Sequence, residues 1–71
     1  MDKKLLKSKM VLYGDTNRIL AKALGISSVS LSAKLNENGS QFNQGEILKI
    51  KERYNLTPED VDAIFFASVV S

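Results

Sequence analysis

The chain has 71 residues, with ten Lys or Arg, eight Asp or Glu, no Cys and no His, and a formal net charge of +2. This length allows one small domain, and the missing Cys and His exclude disulfides, thiolate metal sites and a His-based catalytic triad, so we expect no enzyme, cofactor or metal. No apolar run approaches the ~20 residues of a membrane span, and the basic N-terminus lacks the apolar core of a signal peptide, so we expect a cytoplasmic protein.

Charge is distributed unevenly along the chain. Residues 1–35 hold seven Lys or Arg and two Asp, a net charge of +5, whereas residues 36–71 hold three Lys or Arg and six Asp or Glu, a net charge of −3. Such asymmetry is typical of a domain that presents one end to phosphate groups. The alternative is that these charges belong to ordinary solvated helix faces.

The first predicted helix runs from Lys3 to Tyr13, and Gly14 stops it. Apolar residues at helical spacing form its core stripe: Leu6, Met10 and Tyr13. Val11 and Leu12 fit this stripe poorly. We expect them to widen the core stripe, the alternative being an exposed pair that marks a contact surface.

The second predicted helix begins after Thr16, whose hydroxyl can cap free backbone N–H groups, and ends at Gly25 in a left-handed conformation that only Gly adopts without cost. Ala21 is a small residue where another helix can cross closely. Arg18 and Lys22 are expected to face outward. The residues expected to face inward are Ile19, Leu20, Ala23 and Leu24.

A third helix capped by Ser27 is predicted to run to about Leu35, with Leu31 pointing back to the second helix. A turn this short, at residues 25–27, is what a helix-turn-helix requires, because its two helices meet at a steep angle. Short side chains face outward: Ser28, Val29, Ser32, Ala33 and Asn36. They suit entry into a groove about 12 Å wide, although a solvated helix of weak helix formers would have the same composition.

Two further helices are predicted after a loop at residues 37–42. Asn43 and Glu46 have the spacing of a capping box, which starts the fourth helix, and Asn55 ends it. Thr57 and Pro58 start the fifth helix. The positions expected to be buried are Phe42, Ile47, Ile50, Tyr54, Leu56, Val61, Ile64 and Phe65.

The spacing of Ala21, Gly25 and Leu31 resembles the helix-turn-helix signature of the Cro/repressor (XRE-like) family of phage and bacterial DNA-binding proteins. The resemblance extends from about Leu6 to Phe66, and the segment EILKIKERYNLTPEDVDAIFF is most similar to the short Cro-like proteins of Gram-positive phages. It implies an all-α, five-helix lambda-repressor-like DNA-binding domain occupying residues 1–71. Helices 2 and 3 would form the helix-turn-helix, at about residues 16–35.

The resemblance also implies a function, a sequence-specific transcriptional regulator that binds double-stranded operator DNA. In this family the third helix lies in the major groove and the second crosses the DNA backbone. The residues placed against base edges would be Ser28, Val29, Ser32 and Ala33. The residues placed against the DNA backbone would be Thr16, Asn17, Arg18, Ser27, Lys34 and Asn36.

Apolar residues near the C-terminus exceed what one small core requires. We expect Phe66, Val69 and Val70 to contact a second copy in a homodimer, the alternatives being core filling or a flexible tail. Two-fold dimers are also what recognition of paired half-sites needs.

The chain departs from the family pattern at the expected DNA surface. The loop after the third helix carries Glu37 where the family often has Arg or Lys. The third helix lacks the Gln, Asn or Arg that make bidentate base contacts, each worth ~1–3 kcal/mol of discrimination. A single copy should therefore bind DNA weakly, and the alternative is an anti-repressor or modulator that binds a partner phage repressor protein.

Overall fold

The computed structural model describes residues 1–66, which form five α-helices and no β-strand. The all-α class expected from the sequence is confirmed. None of the helices within this described part is long and apolar enough to cross a bilayer. The helices are α1 (Lys3–Leu12), α2 (Asn17–Leu24), α3 (Ser28–Leu35), α4 (Gln44–Arg53) and α5 (Pro58–Phe65).

Side-chain caps explain where the helices begin. A short polar side chain accepts a hydrogen bond from a first-turn backbone N–H at the start of every helix, which satisfies a group that has no partner inside the helix. The capping residues are Asp2, Thr16, Ser27, Asn43 and Thr57. The expected capping box of α4 is confirmed, because Glu46 N–H donates to Asn43 Oδ1 at 2.8 Å and Asn43 N–H donates to Glu46 Oε1 at 3.0 Å.

The core lies where the five helices meet, and each helix contributes one large side chain that is wholly inaccessible to solvent. These five are Leu6, Leu20, Leu31, Ile50 and Ile64. Burying each such side chain is worth about 1.5–3 kcal/mol, so the short helices depend on this cluster rather than on their own propensity. Six further residues, each nearly but not wholly buried, surround this cluster: Met10, Ala21, Leu24, Leu35, Tyr54 and Leu56.

The core face of α1 is narrower than expected. Val11 is 77% exposed and Leu12 is 75% exposed, so the expectation that they widen the stripe was wrong. Tyr13, expected in the core, is 49% exposed and instead donates its hydroxyl hydrogen to Tyr54 O at 3.0 Å. Leu6 and Met10 are the buried residues of α1, and Leu5 is partly buried against the same core.

The inward face of α2 is partly as expected. Leu20, Leu24 and Ala21, the residue expected at a close helix crossing, are buried, whereas Ala23 is exposed and Ile19 is 44% exposed, so the expectation was wrong at those two positions. The buried residues of α2 therefore lie at positions 20, 21 and 24, and positions 19 and 23 flank them on the solvent side.

Other apolar residues expected in the core lie at its edge. Four that were expected to be buried are only partly covered: Phe42, Ile47, Val61 and Phe65. Two of them still stabilise each other, since the rings of Phe42 and Phe65 meet edge to face with centroids 5.7 Å apart.

Candidate nucleic-acid interface

The turn between α2 and α3 depends on one glycine. Gly25 has φ 74° and ψ 27°, and beyond it Ile26 N–H donates to Ala21 O at 3.0 Å, which closes the end of α2. A Cβ added to Gly25 would meet no atom within 4 Å, so the left-handed backbone and not crowding favours glycine there. The chain therefore reverses from α2 into the Ser27 cap of α3 within three residues.

Helix α3 has one buried side and one exposed side. Leu31 and Leu35 are 0% and 3% exposed and anchor the helix in the core, whereas Val29 is 80% exposed. Ser28 is exposed beside Val29 in the first turn. The other two residues expected to read bases, Ser32 and Ala33, are half-buried, so the accessible part of this surface is concentrated in the first turn of α3.

Ser30 belongs to this exposed surface although the sequence reasoning left it out. It is exposed, its N–H donates to Ser27 Oγ at 3.0 Å, and its own Oγ accepts from the Ser27 hydroxyl at 3.0 Å. A helical projection alone would not have found it, because Ser30 lies 100° around the axis from both exposed Val29 and buried Leu31. The two hydroxyls are thus linked at the start of α3.

The start of α2 presents backbone N–H groups and one cation. Thr16 caps the helix by accepting from Ile19 N–H at 3.2 Å. Arg18 is exposed in the first turn, and Asn17 is half-buried beside it. A helix N-terminus carries a partial positive charge that favours anions, and Arg18 adds a full charge.

An internal ion pair neutralises the acidic residue nearest to this helix start. Asp15 accepts from Arg53 Nε at 2.6 Å, from Arg53 Nη2 at 2.9 Å and from the Tyr54 hydroxyl at 2.7 Å, and its side chain is only 6% exposed. The hydrogen bond from Arg53 holds the pKa of Asp15 below its usual range, and that from Tyr54 adds to this. The carboxylate is therefore matched by a guanidinium within the fold and presents little bare charge beside Thr16.

Two of the residues expected to contact the DNA backbone, Lys34 and Asn36, form side-chain hydrogen bonds with other residues of the same chain. Lys34 Nζ donates to Glu46 Oε1 at 2.8 Å and to Gln41 O at 3.1 Å, and its side chain is 15% exposed. Burial of Glu46 favours its neutral form, but the hydrogen bonds from Lys34 and the Asn43 N–H outweigh it, and the pKa of Glu46 is lowered. Asn36 accepts from Lys3 Nζ at 2.6 Å, which places a second cation at the end of α3.

The basic first half and the acidic second half of the sequence do not form two separate ends of the folded molecule. Basic α1 packs against acidic α5, and Asp2 N–H donates to Ile64 O at 2.7 Å where the two helices are tied together. The pKa of Asp60 is lowered, chiefly by the hydrogen bond from Thr57 N–H and also by the charge of Lys9. Residues 16–36 contain three Lys or Arg and no Asp or Glu, and of these cations Arg18 and Lys22 are exposed whereas Lys34 is paired with Glu46.

Of the residues near the C-terminus that are expected to contact a second copy, the structure describes Phe66. Phe66 is 64% exposed, and Val69 and Val70 lie outside the described residues.

Within residues 1–66, no group of three Asp or Glu side chains is arranged to hold a metal ion. Comparisons with protein-family models, with curated proteins and with solved structures return no significant match.

Proposed function

We propose that the protein is a sequence-specific DNA-binding transcriptional regulator of the Cro/repressor type, acting in the cytoplasm on operator DNA. Its five helices would take the lambda-repressor-like arrangement, with α2 and α3 as the helix-turn-helix. The observation that carries the proposal is the division of α3, in which Leu31 and Leu35 are buried while Val29 is 80% exposed among serines. A helix anchored in this way can enter a major groove without losing its core contacts.

The first turn of α3 supplies the base contacts in this proposal. The methyl groups of Val29 would pack on a thymine methyl, and the hydroxyls of Ser28 and Ser30 would exchange hydrogen bonds with base edges. Ser32 and Ala33 would approach the DNA only at the border of the contact, because they are half-buried. Such contacts discriminate bases loosely, since a hydroxyl both donates and accepts.

The start of α2 supplies the backbone contacts. Arg18 and the first N–H groups of α2, with Thr16 and Asn17 beside them, would bind phosphate, and Ser27 would do so at the start of α3. Lys34 is left out of this set because Glu46 and Gln41 already hold its ammonium group. At the C-terminal end of α3, Lys3 would bind phosphate in place of Lys34, because its ammonium group is positioned there by a hydrogen bond to Asn36 Oδ1.

This interface is small, so a second copy of the chain is part of the proposal. The described part of α3 offers no Arg, Asn or Gln for bidentate base contacts, and one copy would bind weakly. Phe66 is the described residue expected to meet that second copy.

A partner repressor protein is the second candidate, and exposed apolar residues outside α2 and α3 favour it. Val11, Leu12 and Phe66 are each more than 60% exposed, and exposed apolar groups of this size are common in protein-binding surfaces. If this candidate is right, binding to the partner should survive substitution at Val29 and Arg18, whereas DNA binding should be negligible.

The test is a duplex titration at several salt concentrations. Binding through phosphates releases counterions, so log K should fall linearly with log salt by about 0.9 per phosphate contact. Arg18→Glu should weaken binding to every sequence and lower that slope by about 1, whereas Lys49→Glu makes the same charge change on α4 and should leave the slope unchanged. No measurable binding at low salt, or equal slopes for the two variants, would contradict the proposal.

A further inference from the structure

Helix α1 carries a basic stripe that the proposed DNA interface does not use. Lys4, Lys7 and Val11 recur at i, i+3 and i+7, so they lie within about 60° of each other around the helix axis. Both lysines are exposed, and Val11 is 77% exposed. Neither lysine forms an ion pair with another residue of the segment 1–66. We call these three residues the basic stripe.

Helix α5 carries a stripe of the same form and opposite charge. Glu59 and Asp62 lie in α5 and Phe66 follows directly as its C-cap, so the three also recur at i, i+3 and i+7; both acids are exposed and Phe66 is 64% exposed. Like the lysines, these acids have no ion-pair partner in the described part of the chain. We call these three residues the acidic stripe, and each stripe ends in an exposed apolar side chain toward its C-terminus.

We infer that the acidic stripe of one copy binds the basic stripe of a second copy. With the two helices side by side and parallel, Lys4 meets Glu59 and Lys7 meets Asp62. The charges are three residues, about 4.5 Å along the axis, apart on both helices, and the apolar residues follow about 6 Å further on. Val11 then packs against Phe66, and the contact buries both side chains.

The proposed contact is head to tail, with the α1 stripe of one copy on the α5 stripe of the next. Lys9 lies close enough to α5 for its charge to act on Asp60, and Lys9 projects from the side of α1 opposite the basic stripe. The basic stripe accordingly faces away from its own α5, so the two stripes of one copy do not pair with each other and each is open to another copy. On DNA, such a contact would align neighbouring copies in the same direction, as direct repeats require.

The contact should be weak and sensitive to salt. Exposed ion pairs contribute little each and are screened beyond about 8 Å at physiological ionic strength. Association is therefore best measured by sedimentation velocity up to about 1 mM protein at low salt, where dissociation constants in this range become visible. The wild-type weight-average sedimentation coefficient should rise with protein concentration and fall on adding salt.

Charge reversal gives the decisive experiment. Lys4→Glu with Lys7→Glu makes both stripes acidic, and Glu59→Lys with Asp62→Lys makes both basic. Each double variant alone should associate about tenfold or more weakly than wild type, because attractive pairs become repulsive. An equimolar mixture of the two should recover association, since every basic stripe again finds an acidic one.

The control makes the same change in net charge as Lys4→Glu with Lys7→Glu, but outside the stripes. Lys22→Glu with Lys49→Glu alters two exposed lysines on α2 and α4 and should associate as wild type does. A melting curve of each variant confirms folding, and the milder pair Lys7→Gln and Asp62→Asn serves if a double variant unfolds. A wild-type chain that stays monomeric up to about 1 mM at low salt, or a mixture no more associated than its components, would overturn the inference. Either result would remove this second copy from the proposed function, whereas the contact of a single copy with DNA is tested separately by the duplex titration.

Discussion

Asp15→Asn removes the carboxylate that joins the start of α2 to the end of α4. Asp15 accepts three hydrogen bonds, two from Arg53 and one from Tyr54, in a site where its side chain is 6% exposed. A hydrogen bond to a charged group is worth about 1.5–3 kcal/mol, but Arg53 is 35% exposed and regains hydration when its partner is lost. We therefore expect the free energy of unfolding to fall by ~2 kcal/mol at neutral pH.

The pH dependence of this loss identifies its cause. The pKa of Asp15 is lowered in the fold, so its contribution is present above the unfolded pKa and disappears as pH falls through the folded pKa. Urea unfolding of wild type and variant should differ most at pH 7, and the difference should begin to shrink below about pH 4 and disappear below the lowered pKa of folded Asp15. At neutral pH the melting temperature should drop by about 8–16 °C.

Asp62→Asn, the same substitution at an exposed acid of α5, is the matched control for stability and should stay within about 0.5 kcal/mol of wild type. A difference at Asp15 as small as the control's, or one that acid leaves unchanged, would show that the carboxylate does not hold the helix start.

Three other substitutions test the local reasoning by thermal or urea unfolding. Gly25→Ala should cost about 1–2 kcal/mol, since φ is 74° and nothing else opposes a Cβ; an unchanged midpoint would mean that the turn relaxes freely. Leu31→Ala should cost about 2–5 kcal/mol whereas Val29→Ala should change stability by less than about 0.5 kcal/mol, and similar values at both would refute the two-sided description of α3. Asn43→Ala should cost about 1 kcal/mol through the lost cap of α4, and no loss would show that Gln44 or water replaces it.

The helix boundaries could be predicted because local chemistry sets them. Thr16, Ser27, Asn43 and Thr57 each cap the helix that the sequence assigned to them, and Gly25 ends α2 in the left-handed conformation. A cap depends on residues within one turn, so it can be read without knowing the rest of the fold.

Which apolar residues are buried could be predicted less well, because burial depends on what covers each helix. Val11 and Leu12 stay exposed since no neighbour lies over that flank of α1, and Ile19 stays 44% exposed on α2 although Ala21 is buried. Nothing in the spacing of single helices reveals how wide a contact will be.

The surroundings of the candidate site depended on contacts between distant residues. Lys34 is twelve residues from Glu46, and Asp15 is thirty-eight from Arg53, so neither ion pair follows from a local pattern. These pairs remove Lys34 from the proposed DNA contacts and neutralise the acid beside Thr16. The charge asymmetry misled for the same reason, because packing brings the acidic α5 against the basic α1.

The central claim is that the first turn of α3 and the start of α2 bind duplex DNA together. Amide chemical shifts recorded while a duplex is added at low salt test it most directly, since they report each residue separately. We predict that the largest changes fall at residues 16–18 and 27–30 and are reversed by high salt. Changes confined to α1 and α5, or none at all, would contradict it.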